Sequence, residues 1–169
     1  MWAGVKSPLM ADVNKPEPIV VRPDPLRIRI GPASFHRWAT HFYKCKQDFV
    51  PPDGHGFSPV PYFLLCRAIE LELKARHFVR GVSDVRKQYS HKLATSYNDL
   101  ESFEKTLTED EFGVLVGADN VYSGYKGFEY IQPGDLLRGF STFPDLVVLD
   151  QVASKLIFHY DEQYFLEQA

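Results

Sequence analysis

Residues 59–79 read PVPYFLLCRAIELELKARHFV, the most apolar helical pattern of the 169-residue chain. Apolar residues recur three and four positions apart, which predicts a helix. They fill two faces rather than one, so we expect a central element. These positions are Tyr62, Leu65, Ile69 and Leu73 on one face and Leu64, Ala68, Leu71, Ala75 and Phe78 on the other. Glu70 with Lys74, and Glu72 with Arg76, are spaced for the salt bridges that exposed helix faces carry.

The segment before this helix predicts a second one. Apolar residues from Phe35 to Phe49 follow a helical spacing, and Ser34 is the expected N-cap. Proline and glycine residues within 51–56 predict a loop after this helix. At the other end of the central helix, Gly81 predicts a short break.

Helical spacing resumes after Gly81. It predicts a short helix at 83–88 and a main helix at 91–106, with Ser90 as a second N-cap. The apolar stripe of this stretch continues as far as Phe103. We therefore expect an interrupted helix rather than a single straight one.

The C-terminal half predicts two further helices with a loop between them. Thr108 and Glu111 form a capping-box pattern that starts the first. Glycine and aromatic residues predict a long loop at 119–141. A final helix is expected from about 143 to 165, capped by Thr142.

These elements predict a mainly α-helical fold, an antiparallel bundle of about five helices. Six of the twelve prolines fall within 1–33, so we expect an extended, partly disordered segment there. Residues 34–169 are expected to form a single helical domain.

Charge is unevenly distributed along the chain, although the net charge is only -3. Residues 67–92 carry seven Lys and Arg against three Asp and Glu, whereas residues 93–169 carry four against fourteen. A basic centre of this kind favours contact with phosphate. We expect no signal peptide, no membrane span and no disulfide between Cys45 and Cys66, and hence a cytoplasmic protein.

Several short motifs resemble the HEPN superfamily of small helical domains. They are Ala68-Ile69-Glu70, then Leu73-Lys74-Ala75, then Gly81, and later His91-Lys92-Leu93. The stretch from Tyr122 to Tyr130 and the helix near Pro144 are also similar, so the resemblance spans roughly residues 34–160.

The resemblance implies a catalytic pair. Active HEPN ribonucleases carry an arginine and, four to six residues later, a histidine, and Arg86 and His91 match that spacing. The residue after the arginine departs from the family, because Lys87 stands where a smaller polar residue or a histidine is common. Histidine can exchange protons near neutral pH, and a guanidinium can bind the scissile phosphate.

On one straight helix Arg86 and His91 would lie on different faces, about 140° apart. Two arrangements would bring them together: a helix break at Ser90, or a cleft built by two protomers around a twofold axis.

The function implied is RNA binding, with metal-independent ribonuclease activity in a defence or toxin–antitoxin system. Catalysis would fall to Arg86 and His91, support to Glu70, and phosphate binding to Arg80, Lys87 and Lys92. The resemblance also implies a homodimer and a nucleotidyltransferase-type partner protein. We expect no cofactor and no bound metal.

Two alternatives remain open from the sequence. The first is a non-catalytic protein-interaction module, which would present its acidic C-terminal third and its aromatic-rich loop to a partner and depend on apolar loop residues such as Phe128. The second concerns Tyr89 and Tyr97, which either stack on bases or, as is commoner for aromatic residues on a helical stripe, belong to the core.

Overall fold

A computed structural model describes residues 30–51, 53–54, 57–82, 84–124, 126–129 and 142–168. The side chains of Arg86 and Lys87 also lie outside this description. The described residues are mainly helical and include no β-strand. They form a helical bundle around a hydrophobic core, as the sequence predicts. The Pro-rich segment, up to residue 29, lies outside the described residues.

Helix α2, Val60–Val79, is the central element, as its two apolar faces predict. It packs along α1, Pro32–Gln47, and contacts several later helices. The predicted ion pairs both form on α2, but not on an exposed face: all four side chains are buried. A helix that is covered all round has no face left for solvent, so its charged residues pair in the interior. They are Glu70 with Lys74 and Glu72 with Arg76.

Helix α1 begins at Pro32, and its N-cap is Gly31. The Gly31 carbonyl accepts hydrogen bonds from the amides of Ser34 at 3.0 Å and Phe35 at 3.4 Å. The predicted N-cap at Ser34 is therefore wrong. Proline suits the first helical position because its φ is already near the helical value and it has no amide hydrogen to satisfy. The helix ends at Gln47, close to the predicted end at Phe49.

The predicted interruption after Gly81 is present. Helix α3, Val85–Tyr89, and helix α4, Leu93–Asn98, are separated by Ser90, whose φ of 45° is left-handed. Ser90 does not cap α4. The carboxylate of Asp119, from a later helix, accepts hydrogen bonds from the first two amides of α4, at 3.0 and 3.2 Å. A distant side chain thus replaces the predicted local cap.

Helix α4 ends before the predicted limit at 106, and a 3₁₀ helix, Ser102–Glu104, follows it. Phe103 is 73% exposed there, so the predicted apolar stripe does not reach it. Helix α5, Glu109–Asp119, starts with the predicted capping box. The Thr108 hydroxyl accepts from the Glu111 amide at 3.3 Å, and the Glu111 carboxylate accepts from the Thr108 amide at 2.9 Å.

The chain remains helical beyond Asp119, where a loop is predicted. Residues Asn120–Gly124 form a π-helical turn, and it buries Val121 and Tyr122. The prediction of a loop from residue 119 is therefore wrong for this part, because two buried side chains anchor the turn to the core. Residues 130–141 lie outside the described residues.

The predicted last helix is divided into α6, Leu146–Ile157, and α7, Glu162–Glu167. Asp145 caps α6, accepting hydrogen bonds from the amides of residues 147 and 148 at 2.8 and 3.0 Å, so the predicted cap at Thr142 is wrong. Asp161 caps α7 in the same way at 2.9 Å. Aspartate side chains that bind backbone amides favour a new helix start over continuation of the old one.

Candidate active site

The buried carboxylate of Glu70 contacts four side chains near the middle of α2. Its Oε2 accepts hydrogen bonds from Tyr122 Oη at 2.6 Å, from Arg67 Nη1 at 2.9 Å and from His91 Nδ1 at 3.1 Å. Its Oε1 accepts one from Lys74 Nζ. Glu70 is only 3% exposed, so this cluster of five residues, the Glu70 cluster, is anchored in the interior.

The charges within the cluster keep the carboxylate ionised. Burial alone would raise the pKa of Glu70, but hydrogen bonds from Lys74 and Tyr122 and the charges of Lys74 and Arg67 lower that pKa overall. Burial, reinforced by the charge of Glu70, raises the pKa of Tyr122, so its hydroxyl stays protonated and donates a hydrogen bond to Glu70. Burial would lower the pKa of Arg67, but Glu70 and Tyr122 raise it, and the guanidinium remains charged.

Two local features of the chain bring these side chains together. Arg67, Glu70 and Lys74 are three and four residues apart on α2, a spacing that places them on one face of the helix. Tyr122 comes from the π-helical turn after α5. Such turns add a residue to a helical turn and are frequent at functional sites.

His91 joins the cluster from the break between α3 and α4. Its side chain is 51% exposed, while the Glu70 carboxylate that it contacts is buried. An ionised carboxylate can only accept, so the contact requires a hydrogen on Nδ1. In the neutral ring this leaves Nε2 with its lone pair. The Tyr122 ring packs against the imidazole edge to face, with centroids 5.7 Å apart.

The structure therefore brings together two of the three residues predicted for catalysis and its support, Glu70 and His91. The third, Arg86, belongs to α3, one helical turn before Ser90. Its side chain, like that of Lys87, lies outside the described part of the molecule. The helix break proposed as one route to convergence is present at Ser90.

The Glu70 cluster does not include Arg80 or Lys92, the other described residues predicted to bind phosphate. Arg80, just past the end of α2, donates to the Asp99 carbonyl at 2.6 Å and to Glu101 Oε1 at 2.8 Å. It therefore links α2 to the segment that follows α4. Lys92 is exposed and immediately precedes α4.

Arg67 and Tyr122 are members of the cluster to which the sequence assigns no role. The position of Arg67, one helical turn before Glu70, is a local signal that could have identified it. Tyr122 is 52 residues from Glu70 in the chain, and no local spacing relates the two. Its position depends on the π-helical turn, which the sequence does not predict.

Three aromatic residues considered for binding are instead part of the core. Tyr89 and Tyr97 are both buried, which confirms the core alternative over base stacking. Phe128 is also buried: its ring stacks on Tyr62 with centroids 5.4 Å apart and meets Phe143 edge to face at 4.8 Å. The expectation that Phe128 forms a protein interface is therefore wrong.

Across the described ranges, no group of three or more His, Cys, Asp or Glu side chains is arranged to hold a metal ion. No helix within those ranges is long and apolar enough to span a membrane.

No protein-family model matches the chain, and no curated protein or solved structure matches it either.

Proposed function

We propose that this protein is a HEPN-like RNA-binding protein that cleaves RNA without a metal ion. The observation that carries the proposal is the contact between His91 Nδ1 and the buried Glu70 carboxylate. This contact holds a half-exposed imidazole against a buried carboxylate. It leaves Nε2 as the nitrogen that can accept a proton from a substrate. A carboxylate that orients a histidine in this way is the arrangement expected of a general base.

The reaction would proceed by attack of the ribose 2′-oxygen on the neighbouring phosphorus. His91 Nε2 takes the proton from the 2′-hydroxyl as the new O–P bond forms. The bond from phosphorus to the 5′-oxygen then breaks, and that oxygen takes a proton from water. The products are a 2′,3′-cyclic phosphate and a 5′-hydroxyl, and the imidazolium returns its proton to solvent. Throughout, Glu70 stabilises the positive charge that His91 acquires.

Cations of the basic segment 80–92 would bind the RNA backbone. In the proposed complex Arg86 contacts the scissile phosphate, and Arg80, Lys87 and Lys92 contact neighbouring phosphates. These contacts are electrostatic and independent of base sequence, so RNA binding should weaken as salt concentration rises. The resemblance to HEPN domains further suggests a homodimer, a nucleotidyltransferase-type partner, a role in defence or a toxin–antitoxin pair, and a cytoplasmic location.

The test is incubation of a mixed RNA pool with purified protein in excess EDTA. Wild type and His91→Ala are compared, with His159→Ala, which changes another exposed histidine, as the matched control. We expect wild type and His159→Ala to cleave the pool and His91→Ala to be at least about 100-fold slower, since general acid–base groups contribute factors of that size. Cleavage by none of the three, or equal cleavage by all three, would overturn the proposal.

A second candidate function is that of a protein-interaction module without catalysis. It is the alternative that the sequence leaves open, and the exposed apolar side chains available to it include Val147, Phe158 and Leu166. Such a module would use exposed apolar side chains of this kind for contact with its partner. If the protein neither binds nor cleaves RNA, this candidate takes the place of the first.

A further inference from the structure

A cleft of about 200 Å³ lies between α1 and α2, beside the Glu70 cluster. Aromatic and aliphatic side chains line much of it, among them Phe35 and Trp38 from α1 and Phe78 from α2. Trp38 is 45% exposed, although tryptophan on a helical stripe is usually buried. An apolar cavity of roughly 150 Å³ can accept a benzene ring, so the cleft has room for one flat ring system.

The same cleft is also lined by two cations, Arg67 and Lys74. Both contact Glu70, whose carboxylate offsets one of their two positive charges. Asp84 lies in the lining as well, but it is exposed, where water and salt screen its charge. The cleft therefore offers an anion two positively charged side chains. It combines a flat apolar wall with guanidinium and ammonium donors.

Glu70 connects this cleft to His91. Arg67 Nη1 and His91 Nδ1 lie 2.9 and 3.1 Å from the same atom, Glu70 Oε2. The two nitrogens are therefore at most about 6 Å apart. A phosphate bound by Arg67 would lie close to the imidazole.

We propose that the cleft between α1 and α2 is a subsite for one nucleotide of a bound RNA strand, with the base on Trp38 and a phosphate on Arg67 and Lys74. This inference rests on the proposal that the protein binds RNA. It assigns base stacking to Trp38, the exposed aromatic residue of the cleft, whereas Tyr89 and Tyr97 are in the core. It also assigns Arg67 to a phosphate next to the scissile one, which the proposed function assigns to Arg86.

The experiment measures the affinity for a fluorescently labelled, mixed-sequence 2′-O-methyl RNA, which lacks the attacking hydroxyl and cannot be cut by this route. Wild type is compared with Trp38→Leu and with Phe103→Leu, a matched control that alters an exposed aromatic residue outside the cleft. We expect Trp38→Leu to weaken binding by roughly 5- to 150-fold, the effect of losing one stacked base. Phe103→Leu should bind like the wild type, and the thermal midpoints of both variants should show that they are folded.

The outcomes separate this inference from the proposed ribonuclease activity. Loss of binding in Trp38→Leu alone supports the subsite even if the wild type cleaves no RNA. Equal binding by wild type, Trp38→Leu and Phe103→Leu overturns the subsite even if the wild type does cleave.

A second arm distinguishes a strand from a free nucleotide by measuring the affinity for adenosine 5′-monophosphate. We expect the RNA to bind at least about 10-fold more tightly, because further phosphates reach further cations. An affinity for the mononucleotide equal to that for RNA would assign the cleft to a free nucleotide and overturn the inference.

Discussion

The carboxylate of Glu70 accepts hydrogen bonds from four side chains, and two of them, Arg67 and Lys74, are cations. Breaking a buried ion pair is costly because it leaves an uncompensated charge in the interior. The same carboxylate fixes which nitrogen of His91 carries the proton. Both the stability of the protein and the chemistry of the site therefore depend on this one side chain.

We predict that Glu70→Gln lowers the free energy of unfolding by roughly 3 to 5 kcal/mol, because Arg67 and Lys74 lose their counter-charge. The matched control is Glu101→Gln, which removes the partner of Arg80, an ion pair largely open to solvent. That change should cost less than about 1 kcal/mol. Urea denaturation measures both values. Similar losses in the two variants would show that Glu70 is not the buried anchor.

Nitrogen NMR of the histidine rings tests the geometry at His91 directly. For the neutral ring, we predict that His91 carries its hydrogen on Nδ1, because the Glu70 carboxylate can only accept. The tautomer with the proton on Nε2 would be incompatible with the contact to Glu70.

At the scale of the helices, some helix ends are determined by residues nearby in the chain, and others by residues that are distant in the chain. The capping box at Thr108 and Glu111 could be predicted, because both partners lie within four residues of each other. The start of α4 could not, because its cap is Asp119, 26 residues from Leu93 in the chain. The spacing of residues in the sequence predicts hydrogen bonds between nearby residues, but it does not predict a cap that is supplied by a side chain of another helix.

The break after α2 depends on Gly81, whose φ is 81°. We predict that Gly81→Ala destabilises the protein by about 1 kcal/mol, because side chains other than glycine rarely adopt this backbone conformation. A Cβ at residue 81 would meet no atom within 4 Å, so the cost is conformational rather than steric.

Gly113→Ala in α5 is the control with the opposite expected sign: it should stabilise by roughly 0.5 to 1 kcal/mol, again with no atom in the way of the new Cβ. Thermal unfolding measures both changes. A stabilising Gly81→Ala would contradict the left-handed conformation.

His77, near the end of α2, makes the α2–α4 contact sensitive to pH. Its Nε2 donates to the Ser96 carbonyl at 2.8 Å, and its Nδ1 is buried without a partner among the described residues. Burial lowers the pKa of His77 below its usual 6.5. As pH falls, His77 therefore becomes protonated at a higher pH in the unfolded chain than in the folded protein. The contribution of neutral His77 to stability is present at high pH and is lost as pH falls below 6.5.

We predict that lowering the pH from about 7.5 to about 5.5 reduces the free energy of unfolding more in the wild type than in His77→Gln. Glutamine keeps a donor for the Ser96 carbonyl and does not titrate. Urea denaturation at the two pH values measures the difference. Glu70 contributes little in this range, because its lowered pKa places its titration in more acidic solution. The same pH dependence in both proteins would show that His77 is not the group responsible.

At the scale of the whole molecule, the central position of α2 creates the site. The two apolar faces of α2 predict a central helix but not the burial of its charged residues, and this burial surrounds Glu70 with partners instead of solvent. The resemblance to HEPN domains points to Glu70 and His91, and the packing around α2 brings the two into contact. Tyr122 could not be identified from the sequence, because it reaches Glu70 through the packing of α5 and the π-helical turn against α2.

The most direct test of the proposed chemistry is analysis of the ends produced when the wild-type protein is incubated, in excess EDTA, with RNA and with fully 2′-O-methylated RNA of the same sequence. We predict that only the unmodified RNA is cut, leaving a 2′,3′-cyclic phosphate and a 5′-hydroxyl, because the proton that His91 removes is absent from the methylated strand. Cutting of the methylated strand, or 3′-hydroxyl and 5′-phosphate ends on the unmodified one, would contradict the proposed role of His91.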